Sequence, residues 1–363
     1  MSDYGVLVRT AMALGPVLAF LAILNWSDSY KLVSPRRILT FLAAGGAMAS
    51  LSYMINSSLL ELTGLGNLAY AMGVAPLVEE ALKATFVIWC LKRGKVGFLV
   101  DAAILGFATG AGFSLLENLY YLYQLPQAPL IVWIIRGLGT AVMHGGCTAI
   151  FAVLVLARTR GSRGALQRAW LPGLMVVVLL HAGFNRAMVQ PVVTTLLMLL
   201  VLPGIFWFVY RRGEKNLRQW VGKGFDRDQE LLALIKDGQV GETPLGRYLV
   251  SLRESFRADM VADMLCLLRL QAELSIAAKG ALLLRQHGFQ PGFGKGSTGE
   301  LASELVAKLA EVRWLERSVG RAGLLALRPL NPGRDRDRWQ REFLRAGSKI
   351  KGNEQAPHDA GPF

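Results

Sequence analysis

Residues 98–122 read FLVDAAILGFATGAGFSLLENLYYL, an apolar run interrupted by Asp101 near its start and by Glu117-Asn118 towards its end. A bilayer crossing takes about 20 mostly apolar residues, so the run is long enough to span. Residues 67–91, NLAYAMGVAPLVEEALKATFVIWCL, repeat the pattern with Glu79, Glu80 and Lys83. Working outward, similar runs cover residues 5–26, 38–60, 129–157, 171–188 and 190–210. The chain of 363 residues is 53% hydrophobic, with a mean hydropathy of +0.37. Charge collects in its last 150 or so residues, as in a polytopic membrane protein with an appended soluble region. The expected fold is all-α: a transmembrane helix bundle of about seven spans followed by a helical C-terminal cytoplasmic domain. The expected division is 1–210 for the membrane domain, 211–347 for the helical domain and 348–363 for a disordered tail.

Loop charge gives an orientation. Lys31, Arg36, Arg37, Lys92, Arg93, Lys95, Arg158, Arg160, Arg163 and Arg168 fall in the first, third and fifth connections, and the second and fourth carry no base. Basic loops face the cytoplasm, which puts the N-terminus outside and, with seven spans, the C-terminus inside. Residues 1–210 hold 14 bases and 7 acids, residues 211–363 hold 26 and 19. That excess suits anionic lipid at the cytoplasmic face. No motif or aromatic interleaving suggests nucleic acid as a partner. The three cysteines form no disulfide framework or Cys-rich zinc pattern.

Within the tail, apolar residues recur at three- and four-residue spacing from Leu245 to Gln286 and from Leu301 to Leu315, which predicts helices. The Gly- and Pro-containing stretch Gly288–Gly299 separates them. No catalytic constellation is evident there.

Chemistry concentrates in the apolar half. An ionisable side chain at bilayer depth costs about 2.5–3.5 kcal/mol, so such groups mark a cavity, a partner or a reaction. Glu79 and Glu80, being adjacent, diverge by about 100° on a helix. Lys83 is within reach of either, so one glutamate can pair with it while the other faces a cavity. Glu117 follows Phe113 at i+4, behind the small-residue run Gly106–Gly112 that permits close helix approach. Arg136 and His144 share the fifth span, and His181 and Asn185 share a face of the sixth. Asp101 sits nearer the membrane interface.

Three glutamates and two histidines on four consecutive spans suit water activation. A buried carboxylate serves as general base and then acid, histidine positions the water, and the Asn185 amide is placed to donate to an oxyanion. The same residue types can hold Zn²⁺, although no His-Glu-x-x-His motif is present. No Gly-x-Ser-x-Gly elbow points to covalent catalysis. A proton- or ion-coupled transporter is the alternative from another class, since intramembrane Glu and His are normal there too. It predicts inverted repeats, and none is evident.

EEALK at 79–83, the stretch from Asp101 through GFSLLENLYY ending at Tyr121, Arg136 followed by His144, and HAGFN at 181–185 resemble the motif set of the PrsW family. These are membrane-embedded proteases related to the CAAX-protease and bacteriocin-processing group. The resemblance covers about residues 66–190 and implies hydrolysis of peptide bonds in membrane-bound protein substrates, in some members as a step of regulated proteolysis. It implies a multi-pass protein of the bacterial cytoplasmic membrane. Carried onto this chain, Glu79, Glu80, Glu117, His144 and His181 form the catalytic or water-binding set, and Asn185 is an oxyanion or orienting partner. Lys83, Asn118, Arg136 and Asp101 support them. Glu79 is expected as the base, with Glu80 able to exchange roles. Either no cofactor is used, or Zn²⁺ is held by Glu80, Glu117, His144 and His181. Where the CAAX-protease relatives have histidine in the second motif, this chain has Glu117.

Overall fold

A segment in lipid must satisfy its backbone amides internally, so each long apolar run is driven to form a helix. The computed structural model describes residues 3–30, 32–159, 165–187, 190–287, 289, 298–327, 329–330, 340–341 and 343–344. Among them the regular structure is entirely helical. The apolar half contains α1 (Asp3–Trp26), α2 (Pro35–Thr63), α3 (Asn67–Lys92), α4 (Leu99–Gln124), α5 (Leu130–Ile135), α6 (Ala141–Thr159) and α7 (Ala165–Ala187), then the long α8 (Pro191–Lys236). A π-helical turn, Arg136–Thr140, joins α5 to α6 without a break, so the two form the expected fifth span.

Six of these rods are long and apolar enough to cross a membrane: α1, α2, α4, α5 with α6, α7 and α8. The expected third span, α3, has 26 residues but falls outside that set. Glu79, Glu80 and Lys83 sit so centrally that every membrane-length stretch of α3 contains all three.

The chain divides into two compact units, Met1–Lys215 and Asn216–Phe363. At the centre of the first is α4, buried almost continuously from Leu99 to Ser114 and packed on α2, α6 and α1. Apolar side chains give helices no preference for one another over lipid, so close backbone approach has to hold the bundle together. Gly45 on α2 faces the Thr109 carbonyl, Gly112 faces the Leu42 carbonyl, and Gly110 faces the carbonyl of His144. A Cβ at any of these would collide with backbone. The capping expected of a polar residue at the start of α4 falls to Asp101, whose carboxylate accepts the Gly97 and Phe98 N–H groups at 3.0 and 2.7 Å.

The second unit holds α9 (Pro244–Ser251), α10 (Ala258–Gln286) and α11 (Thr298–Ala326). The helix expected to run unbroken from Leu245 to Gln286 is interrupted by a 3₁₀ turn, Leu252–Glu254, and a short link before α10. Leu249 before the break and Met264 and Leu267 after it are all buried, so the apolar spacing survives an interruption that periodicity cannot detect. Lys279 is buried against Asp228 at 2.5 Å and lies over the Trp220 ring. Burial alone would raise the Glu273 carboxyl, but hydrogen bonds from Lys308 and Arg269 outweigh it and hold it below its ordinary value. The expected break at Gly288–Gly299 falls largely outside the described residues, and the expected disordered tail wholly outside them.

Replacing Gly110 by Val should destabilise the membrane unit by about 3 kcal/mol or more, read as a lowered melting temperature in detergent. Gly15→Val, at a position with nothing within 4 Å, should melt like the wild type.

Candidate active site

Glu80 lies on the buried side of α3, three residues before Lys83, and an i, i+3 pair on a helix is within contact. Lys83 Nζ stands 2.5 Å from Glu80 Oε1 and 3.1 Å from His144 Nδ1 on α6, with the Phe113 ring of α4 beneath it at 4.5 Å. The same Glu80 oxygen lies 2.9 Å from His181 Nδ1 on α7. One carboxylate therefore serves both an ammonium and an imidazole.

These contacts assign the two rings opposite tautomers. A carboxylate only accepts, so His181 donates from Nδ1 to Glu80, leaving the Nε2 lone pair towards Glu79 Oε2 at 3.9 Å. An ammonium only donates, so His144 accepts at Nδ1 from Lys83 and carries its proton on Nε2. That Nε2–H lies 3.0 Å from Glu117 Oε2, off the line of an aligned hydrogen bond. The in-plane axis of Nε2 is thus not committed to Glu117. The rings meet edge to face, centroids 4.8 Å apart.

Glu117 is held from its other side by Arg136, with Nη2 at 3.1 Å from Oε1. The π turn makes this possible. In a regular helix, residues eight apart differ by about 80° in direction. The extra residue accommodated by a π turn brings Arg136 and His144 close to a two-turn register, so both reach Glu117. Arg136 Nε also donates to Asn118 Oδ1 at 2.9 Å, and its guanidinium lies 3.9 Å over the Tyr121 ring.

The cluster has a closed and an open side. Glu80, Lys83, His144 and His181 have side chains at most 3% exposed, whereas Glu79, Arg136 and Glu117 reach 16, 16 and 25%.

A metal ion would find a suitable donor set. A Glu79 carboxylate oxygen and one ring nitrogen each from His144 and His181 lie within 4.8 Å of one another. Three protein donors with an open fourth position is the pattern of catalytic zinc. His181 also shows the outer contact typical of a metal-bound imidazole, its far nitrogen on a carboxylate. The donors that converge differ from the expected Glu80, Glu117, His144 and His181, because Glu80 is already engaged by Lys83 and His181.

Asp101 is not brought to the cluster and caps α4 instead. Asn185 Nδ2 donates to the Ala71 carbonyl at 2.9 Å, tying α7 to α3, so of its two expected roles the geometry favours orientation. Phe113 and Tyr121 flank Glu117 at i−4 and i+4, and that spacing would have revealed Tyr121 as part of the site. The carbonyl of Ala13, which accepts from Asn118 Nδ2 at 2.8 Å, has no sequence signature.

Residues 34–209 match the family described as PrsW family intramembrane metalloprotease. That segment is similar to the PrsW family. The whole cluster, from Glu79 to Asn185, lies inside the matched segment, while α1 lies outside. No curated protein and no solved structure matches the chain. Six membrane-length helices among the described residues, together with this match, support a multi-pass integral membrane protein.

Glu80→Gln removes the carboxylate behind His181, and loss of such an outer contact costs about 10–100-fold in metal affinity. Chelator competition on purified protein should show a loss of that size for Zn²⁺.

Proposed function

We propose that this protein hydrolyses peptide bonds of membrane-bound protein substrates, with Glu79, Glu117, His144 and His181 around the reacting water. The observation that carries the reading is the convergence of Glu79, His144 and His181, backed by the buried Glu80–Lys83 pair. A purely structural ion pair would account for Glu80 and Lys83 but not for the second and third glutamates beside two imidazoles.

Glu79, His144 and His181 would hold the metal that the family description implies; a bound divalent ion lowers the pKa of water and polarises a carbonyl. Glu80 fixes the His181 ring so that its Nε2 lone pair faces inward. Lys83 donates to His144 Nδ1 and so leaves a proton on Nε2; holding an ion at Nε2 would release one proton from the Lys83–His144 pair. Glu117, beside His144 and on the open side, accepts the proton of the attacking water at Oε2 and returns it to the leaving amine. Arg136 and Asn118 keep that carboxylate in place, and Asn185 holds α7 against α3.

A metal-free reading has one specific support: the Lys83 ammonium is 3.1 Å from His144, a fixed positive charge next to a would-be ligand. In that version Glu79 is the base, as the sequence suggests. In either version α3 crosses the membrane with its neighbours and the basic loops lie on the cytoplasmic side, against anionic lipid. Residues 211–347 are then a cytoplasmic helical domain, and regulated proteolysis is the setting in which such an enzyme acts.

Co-expression with single-span membrane proteins should yield a cleavage fragment with the wild type. Glu79→Gln, Glu117→Gln, His144→Ala and His181→Ala should each lower its rate about 100-fold or more at equal expression. Unchanged processing by all four would end the protease reading. Elemental analysis separates the two versions: a tightly bound equivalent of zinc, absent from His181→Ala, is expected, whereas full activity without metal would give the base role to Glu79.

A further inference from the structure

The helix before the family-matched segment reaches the site through a short relay. Asn118 is fully buried. Its Nδ2 donates to the Ala13 carbonyl of α1 at 2.8 Å, and its Oδ1 accepts from Arg136 Nε at 2.9 Å. Arg136 in turn holds Glu117. The two bonds of Asn118 fix each other. A flipped amide would set its NH₂ against the guanidinium and its oxygen against the carbonyl, two repulsive contacts. The Ala13 carbonyl therefore decides that Arg136 meets an acceptor.

Backbone packing fixes where that carbonyl stands. Gly137, in the π turn next to Arg136, faces the carbonyl of Met12, and a Cβ there would collide with it. Ala13 and Val17 are fully buried. Arg9 donates to the Pro126 carbonyl in the loop after α4. So α1 is seated on the π turn, on Asn118 and on the end of the α4 connection at once.

We propose that α1 is a positioning element of the active site: through the Ala13 carbonyl, Asn118 and Arg136 it sets the carboxylate of Glu117. This rests on the reading that Glu117 handles the proton in hydrolysis.

The test uses the full-length protein with Asn118→Asp, Arg136→Lys, Arg136→Gln and Gly137→Ala, and Gly15→Val as control. Asn118→Asp places an oxygen against Ala13 and a competing carboxylate beside Arg136. Misplacing a reacting group by about 1 Å costs up to about 100-fold. A fall of about 10–100-fold in kcat, measured well below each variant's melting temperature, is expected for Asn118→Asp and Gly137→Ala, with KM and metal content unchanged. The Gly137 Cβ meets the Met12 carbonyl, so that variant's melting temperature falls as well. Arg136→Lys should retain more kcat than Arg136→Gln. A second readout needs no substrate: labelling of Glu117 by a hydrophobic carbodiimide, followed by mass spectrometry, should speed up several-fold in both variants and not in Gly15→Val. Unchanged labelling together with unchanged kcat overturns the proposal. Altered labelling in a wild-type background that cleaves nothing upholds the relay while the protease reading fails. Should Asn118→Asp not fold, Gly137→Ala alone decides by the same two measurements.

Discussion

Glu80 is a carboxylate almost wholly removed from solvent, and it persists there because Lys83 and His181 both reach the same oxygen. Leaving either charge of such a pair without its partner costs about 3–5 kcal/mol. Everything functional is arranged around this neutralised core. Lys83 is bound to Glu80 and so faces His144 as a donor, and His181 is bound to Glu80 and so turns its other nitrogen inward. Two histidines of the same sequence identity thus end up in complementary states, one set by an anion and the other by a cation. Glu79, one residue away on α3, is left for the open side.

Such a core tolerates little slack, and the helices around it show why it has little. α4 meets α2 and α6 through glycines whose hydrogens face carbonyl oxygens. Close contacts of this kind fix distance and rotation together, because a sliding helix would drive a neighbouring Cβ into backbone. The Gly110 contact falls on the carbonyl of His144 itself, so the packing that holds α4 to α6 also sets the histidine beside Glu117. Fold and site are in this respect one set of contacts.

Much of this was legible in the sequence because lipid makes polar residues conspicuous. The helical apolar half and the Glu80–Lys83 pairing as one of two options followed from charges placed where charges are costly, and the motifs they form carried the resemblance to the PrsW family. What stayed hidden depends on rotation and on backbone. Adjacent residues such as Glu79 and Glu80 have equal claims until the packing of α3 on α7 and α6 decides which is engaged. Asp101 reads as an acid near the membrane interface, and its contacts with the Gly97 and Phe98 amides make it a helix cap. Asn185 reads equally as an oxyanion donor or an orienting partner, and only the structure shows its amide meeting a carbonyl on α3. The 3₁₀ break before α10 escapes because apolar spacing continues across it.

The π turn at Arg136–Thr140 carries a consequence about chain length. Loops between membrane helices absorb gained or lost residues at their tips, but this rod has no tip between Trp133 and Met143. Its register is counted residue by residue from the buried Trp133 to the histidine. A further residue wound here as ordinary helix would swing the arginine about 100° from its register with the histidine. Losing the extra residue of the π turn would instead leave the two seven apart and still nearly aligned, with every side chain chemically intact in both cases. The site's geometry is thus encoded partly as a number of residues, a property that no single substitution reveals.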